Sequence, residues 1–246
     1  MLGFEALPWQ EQVSDVVGEY DPATGIPYYR SAVVSPPRQS GKTVWQQAVA
    51  MERATMWQPR QRIAYSAQHG AAAREKLLED WLPVYQAKVP ALLRRPKLTP
   101  GFETIRWVNG SRIVTEAATE AAGHGSTNHL SLRDEAWADT DERRSQAQEP
   151  ATSAVADAQT VTTSTAGTSA SLPLRRLVDR GRLRCEDPGT TTAYFEWSAD
   201  EDADPDDEAT WWGCMPALGH TQTVAAIRRS HGKPLPEDHL RPDLRA

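Results

Sequence analysis

Two stretches of the chain hold residue types whose order suits phosphate chemistry. Pro36-Pro37-Arg38-Gln39-Ser40-Gly41-Lys42-Thr43 follows the pattern Gly-x-x-x-x-Gly-Lys-Ser/Thr everywhere but its first position, which is Pro36. In such a loop Gly41 lets the backbone approach an anion, and successive N–H groups and a helix N-terminus face it. Lys42 reaches the β and γ oxygens of a nucleotide, and the Thr43 hydroxyl can ligate Mg²⁺. Leu130-Ser131-Leu132-Arg133-Asp134-Glu135 then supplies an acidic pair. Asp134 would hold the metal through water, and Glu135 would orient and deprotonate an attacking water. Each motif alone has a plainer reading, a chance Gly-Lys-Thr at a helix start and an acidic N-cap.

The elements that must position these groups are legible as alternating strands and helices. Tyr29–Val34 reads as a strand ahead of the loop and a helix begins near Lys42. Arg62–Ser66 is a second strand, followed by helical spacing of Ala72, Leu77, Leu78, Trp81 and Leu82 within His69–Tyr85. Thr104–Val108 and Ser111–Val114 flank Asn109-Gly110, which predicts a tight hairpin with both turn residues at positive φ. His129–Leu132 and Gln159–Ser164 are further strands, with helices over Asp141–Asp157 and Leu172–Cys185 and another over Thr221–Ser230. The alternation predicts an α/β fold, a mainly parallel sheet with helices on both faces and functional loops at the strands' carboxyl ends. Between Lys42 and Asp134 lie another strand-helix unit and the hairpin, a spacing that points to a P-loop NTPase of the additional-strand, catalytic-glutamate type.

Two weaker elements fit around this pair. In Leu7-Pro8-Trp9-Gln10 the Gln10 carboxamide could read an adenine edge, with a buried tryptophan opening a helix as an equal alternative. Thr163-Ser164-Thr165 would put hydroxyls near a γ-phosphate, where they report its loss, or would simply cap a strand end.

At 246 residues the chain suits one large domain and a tail, expected as an ATPase domain over 1–198 and an acidic linker with a C-terminal subdomain fragment over 199–246. No apolar run is long enough to span a bilayer, and the start lacks a secretory pattern, so a cytoplasmic protein is expected. Cys185 and Cys214 read as reduced thiols. The net charge of −6 is uneven: residues 1–185 carry 22 Lys and Arg against 20 Asp and Glu, whereas residues 186–208 carry ten acidic residues and no basic one. Asp200–Glu208 reads as a solvated loop rather than a metal site, since it lacks the Gly and the spaced ligands of a calcium loop.

Taken in order, Leu7-Pro8-Trp9-Gln10, Arg38-Gln39-Ser40-Gly41-Lys42-Thr43, Asp134-Glu135-Ala136 and Thr163-Ser164-Thr165 resemble the ATPase portion of a tailed-phage terminase large subunit. The glycine-poor loop opening is typical of that family. Trp212–Gly219 loosely resembles its Asn-Pro-x-x-Gly stretch, with Met215 in place of asparagine. The resemblance implies ATP and Mg²⁺ as cofactors, Gln10, Arg38, Gln39, Ser40, Gly41, Lys42 and Thr43 as nucleotide-binding residues, Lys42 and Glu135 as catalytic, Thr43 and Asp134 at the metal, and Thr163, Ser164 and Thr165 as the coupling segment. It also implies double-stranded DNA, a portal protein and a terminase small subunit as partners, and a homo-oligomeric ring in the host cytoplasm with no membrane. The family's trans-acting arginine has no match in Gly123-His124-Gly125, which leaves Arg133, Arg143 and Arg144 as candidates. The family's RNase H-like nuclease has no room before Ala246, so no DNA cleavage is expected. Arg175, Arg176, Arg180, Arg182 and Arg184 read as a DNA-facing cluster or as a solvated helix face. Another P-loop translocase, or a hydrolytically inactive prophage remnant that binds ATP, stays open as an alternative.

Overall fold

The computed structural model describes residues 2–116, 127–139, 141, 152, 154–168 and 170–230. Its eight strands are β1 (Ser31–Ser35), β2 (Arg62–Ser66), β3 (Leu93–Lys97), β4 (Thr104–Trp107), β5 (Arg112–Thr115), β6 (Leu130–Arg133), β7 (Gln159–Thr163) and β8 (Thr192–Glu196). They form one sheet in the order β3-β4-β5-β2-β6-β7-β1-β8. From β5 to β8 every pairing is parallel, and β3 and β4 add an antiparallel ribbon at one edge. Strand β7 lies between β1, which precedes the phosphate loop, and β6, which precedes the acidic pair, the additional-strand arrangement that the spacing predicted.

The central strands read as apolar runs because both faces are covered. Val33, Val34, Ile63, Ala64, Tyr65, Leu130, Leu132 and Val161 are all buried. Helix α1 (Pro8–Val17) turns Trp9, Val13 and Val17 into the core at intervals of four residues, with Pro8 at its first turn, where no intrahelical N–H is needed. Helix α2 (Lys42–Met56) buries Trp45, Ala50, Met51 and Ala54. The register Ser66↔Arg133, Arg133↔Thr162, Val34↔Thr163 and Ser35↔Glu196 brings the carboxyl ends of the parallel strands level with one another. The loops that leave β1, β6 and β7 therefore open at a common edge of the sheet.

Several elements depart from expectation. The helix predicted over His69–Tyr85 is α3 (Gly70–Glu75), a π-helical segment over Lys76–Trp81, and α4 (Leu82–Lys88). Pro83 has no N–H to return to the carbonyl four residues back, and a wide turn just before it accommodates that loss. The 104–115 hairpin is present, but only Gly110 has positive φ, at 88°. Gly110 N–H closes a turn onto Trp107 O at 3.1 Å, and Asn109 is held by its own side chain, which donates to Ala54 O at 2.8 Å and accepts from Ser111 N at 3.0 Å. This is a turn followed by a one-residue glycine bulge instead of a two-residue primed turn. The helix over Thr221–Ser230 is shorter, α7 (Val224–Ser230), and the one over Asp141–Asp157 falls mostly outside the described residues.

The acidic region 186–208 contains a strand, while its densest part up to Asp207 is mostly exposed loop, as expected. The strand is β8, and Asp207 caps helix α6 (Glu208–Cys214) by accepting from Ala209 N at 2.9 Å. Glu208 pairs with Arg228 of α7, and Trp211, Ala217 and Leu218 are buried. Cys185 and Cys214 are free thiols. No described helix is long and apolar enough to cross a membrane.

Helix α5 (Leu172–Arg184) lies on β8 through Gly181, where an added Cβ would clash with the Tyr194 ring. Glycine costs a helix interior about 0.5–1 kcal/mol relative to alanine, so a close approach must justify it here. Gly181→Ala should therefore destabilise the fold by about 1–3 kcal/mol despite alanine's better helix propensity, measured as a lowered midpoint in chemical unfolding. A rise in the midpoint would show that α5 does not rest on β8 this closely.

Candidate active site

The phosphate loop leaves β1 at Ser35 and enters α2 at Lys42. Gly41 is the helix N-cap at φ 86°, a left-handed conformation that side chains rarely adopt, and a Cβ there would meet the Gln10 carboxamide nitrogen at 2.8 Å. Helix α1 holds the loop by its backbone: Trp9 Nε1 donates to Ser40 O at 3.0 Å and Gln10 Nε2 donates to Gly41 O at 3.0 Å. Gln10 Oε1 accepts from Leu7 N at 2.9 Å. The structure gives Gln10 a part in holding the loop. Its carboxamide is engaged at both ends in fixing the loop, and it lies outside the walls of the phosphate cavity.

That cavity, about 630 Å³, is walled by Arg38 to Val44 on one side and by Asp134, Glu135 and Trp137 on the other, with Tyr65, Ala67, Gln68, Ala72 and Lys76 between them. The two motifs, distant in sequence, face each other across one space. Burial pulls the Lys42 ammonium below the usual lysine range, while Glu135 and then Asp134 oppose that shift by favouring its charge. The Ser40 hydroxyl is fully buried with no partner among the described residues.

Asp134 is buried and held on both oxygens. Tyr65 OH donates to Oδ2 at 3.0 Å, and Thr163 Oγ1 and Glu135 N donate to Oδ1 at 2.7 and 2.9 Å. Gln46, one turn after Lys42 on α2, donates from Nε2 to Thr163 Oγ1 at 2.8 Å. A chain of bonds thus runs from α2 through β7 to the acidic pair. The predicted coupling residues Thr163, Ser164 and Thr165 are not among the residues walling the cavity and join it through Asp134 and Trp137. Thr163 contacts Asp134, while Ser164 Oγ accepts from Trp137 N at 2.9 Å and donates to Thr165 O at 2.7 Å.

Glu135 adopts φ 54°, ψ 47°, a left-handed conformation costing a non-glycine residue about 1 kcal/mol or more and often kept where a side chain must be aimed. Its Oε2 accepts a bond from Trp137 Nε1. Trp137 is fixed in turn by Ser164, by Ser171 Oγ donating to its carbonyl at 2.6 Å, and by the Arg38 guanidinium 5.8 Å above its ring. Trp137, Tyr65, Gln46 and Ser171 were not read from the sequence. Only Gln46 left a signal there, a polar residue four positions after Lys42 on the same helix face.

Trp137→Phe keeps the ring and deletes its donor. Hydrogen bonds to charged groups contribute about 1.5–3 kcal/mol, so turnover should fall roughly ten- to a hundredfold with KM for ATP little changed, measured by steady-state hydrolysis. A rise in KM with turnover unchanged would place Trp137 in binding instead.

Arg133 is buried with Nε donating to Thr162 Oγ1 at 3.1 Å, which corrects its candidacy as a residue reaching a neighbouring subunit. His124, Arg143 and Arg144 lie outside the described residues.

The strand order, the loop between β1 and α2 and the acidic pair after β6 define a P-loop NTPase fold of the additional-strand type. Among solved structures the chain is similar to the bacteriophage HK97 large terminase, with a TM-score of 0.76 and 18% identity over 93% of this chain and 47% of that one. It is also similar to the large terminase of a thermophilic bacteriophage, solved in complex with ADP (TM-score 0.58, 13% identity, 78% of this chain and 46% of that one) and with ATP-gamma-S (TM-score 0.56, 13% identity, 78% and 45%). The chain spans about half the length of these terminases. No protein-family model and no curated protein matches it.

Proposed function

We propose that the chain is the ATP-hydrolysing motor part of a viral terminase large subunit, which drives double-stranded DNA into a procapsid. The observation that carries this reading is the meeting of Lys42 and Thr43 with Asp134 and Glu135 across one cavity at the carboxyl edge of the sheet. The likeness in fold to two phage large terminases, one of them solved with ADP and with ATP-gamma-S, supports it.

In this reading the amides of Gly41 and its neighbours and the Lys42 ammonium cradle the β- and γ-phosphates, and the buried Ser40 hydroxyl finds an acceptor there. The oxygen donors of Thr43 and Asp134 fit Mg²⁺, which takes one or two carboxylates or hydroxyls plus phosphates and water. Asp134, which accepts three hydrogen bonds, would hold such an ion through water. When bound, the ion neutralises charge on the phosphates. Glu135, aimed by its backbone and by Trp137, accepts a proton from the water that attacks the γ-phosphorus in line, and the bond from the γ-phosphorus to the β–γ bridging oxygen breaks to leave ADP and inorganic phosphate. The bonds from Asp134 to Thr163 and from Thr163 to Gln46 tie the acidic pair to β7 and α2, and would carry a change at the γ-phosphate to those elements.

In this reading residues 1–198 are the ATPase domain and 199–246 an acidic linker with a C-terminal subdomain fragment, of which Gln222 Nε2 donates to Arg38 O at 3.0 Å. A portal protein, a terminase small subunit, further copies in a ring and the bacterial host cytoplasm are the corresponding partners and location. The test is hydrolysis of Mg·ATP by the full chain with and without duplex DNA. Turnover that rises with DNA is expected; absence of turnover under both conditions would overturn the reading.

A further inference from the structure

The register of the antiparallel ribbon lines up like charges. Arg94 of β3 stands opposite Arg106 of β4, Arg106 opposite Arg112 of β5, and Arg112 beside Arg62 of β2. Neighbouring strands are about 4.8 Å apart, so four guanidinium-bearing residues cross four adjacent strands at that pitch. Ile105, Trp107 and Ile113 alternate with Arg106 and Arg112 and are buried, whereas Arg94, Arg106 and Arg112 are exposed, so this row is on the solvent face of the ribbon.

Like charges directly opposite each other destabilise a sheet. Among the described residues one member of the row is compensated by a carboxylate: Arg62 pairs with Glu116 at 2.9 Å and also donates to Asn128. Arg94 donates to the Val108 carbonyl at 3.3 Å, and no carboxylate among the described residues pairs with Arg94, Arg106 or Arg112. The arginines of α5 are different. Arg182 is forked onto Glu196 at 2.6 and 2.9 Å, Arg184 donates to Thr192 Oγ1 at 3.0 Å and Arg180 to Arg176 O at 3.2 Å. The α5 cluster is largely spent on its own fold, and the ribbon row is not.

We infer that the Arg94–Arg106–Arg112 row is a surface that holds the phosphate backbone of duplex nucleic acid. Guanidinium forks match phosphate oxygens bidentately, and a row set by the backbone register reads charge spacing without reading bases. Arg62 and Arg112 open their strands, so the row sits at the amino ends of the parallel strands, remote from the phosphate loop. The inference rests on the reading of the chain as acting on DNA, and supplies the contact surface that the sequence left unassigned.

The test is fluorescence anisotropy of a labelled duplex with the full chain across a salt series. Combining Arg94→Gln, Arg106→Gln and Arg112→Gln should reduce the slope of log affinity against log salt by about 2–3, with a loss of affinity independent of sequence. Its Tm should stay at or above the wild-type value, because repulsion is relieved, and its hydrolysis of ATP without DNA should be unchanged. The three Arg→Lys changes should retain the slope, which counts charges. A wild-type slope in the glutamine variant would overturn the inference, and so would an equal loss in a variant with Arg175→Gln, Arg176→Gln and Arg180→Gln on α5. Displacement of the duplex by polyglutamate at matched charge would overturn nucleic acid as the occupant. Failure here with ATP turnover still abolished by loss of Glu135 would refute the surface alone; absence of turnover in the wild type would refute the ATPase reading.

Discussion

Glu135→Gln should bind ATP as the wild type does and hydrolyse it about 10²–10⁴-fold more slowly, the span that positioned proton transfer contributes. The substitution isolates one property. Glutamine has nearly the shape of glutamate, tolerates the same backbone conformation, and its carbonyl oxygen still accepts from Trp137 Nε1. What it lacks is a basic oxygen able to take the water's proton. Titration with a fluorescent ATP analogue and a phosphate-release assay separate binding from turnover. Turnover within threefold of wild type would remove Glu135 from the role of base.

Lys42→Ala should have the opposite signature. Lys42 faces Glu135 and Asp134 across the cavity and is the most buried of the three cations, with Arg38 and Lys76, that line it. Truncating one partner of a buried charge contact costs about 2–5 kcal/mol, roughly thirty- to several-thousandfold in affinity. Equilibrium titration should show that loss for ATP, while the thermal midpoint moves little, since removing an ammonium against its burial cost offsets its attraction to the two carboxylates. Equal ATP affinity in Lys42→Ala and wild type would mean that phosphates bind elsewhere.

The sequence was most informative where one local pattern sufficed. The strands before the phosphate loop and the acidic pair are short apolar runs, and Gly41, Lys42, Thr43, Asp134 and Glu135 carry their chemistry in their order. It was least informative where tertiary packing decides. Strand β8 lies in the acidic stretch and exists because it pairs with β1 and receives α5 through Gly181. Strand β3, with two arginines, a proline and a lysine, looks nothing like a strand until β4 pairs with it. Gln10 and Thr163 suit adenine contact and coupling by residue type, and only the fold shows their bonds to Gly41 and Asp134. Trp137 and Tyr65 resemble ordinary core aromatics, and only the fold aims an indole N–H and a phenol at the acidic pair. The arginine row could not be read either, because residues 94, 106 and 112 become neighbours through register and not through spacing.

The most direct measurement is a crystal structure of the full chain grown with Mg²⁺ and a non-hydrolysable ATP analogue. The triphosphate should lie between the Gly41–Thr43 backbone and the Asp134–Glu135 pair, with Lys42 on the β- and γ-oxygens and Asp134 reaching the metal through water. Nucleotide bound away from that cavity, or a loop and acidic pair that do not share it, would contradict the account.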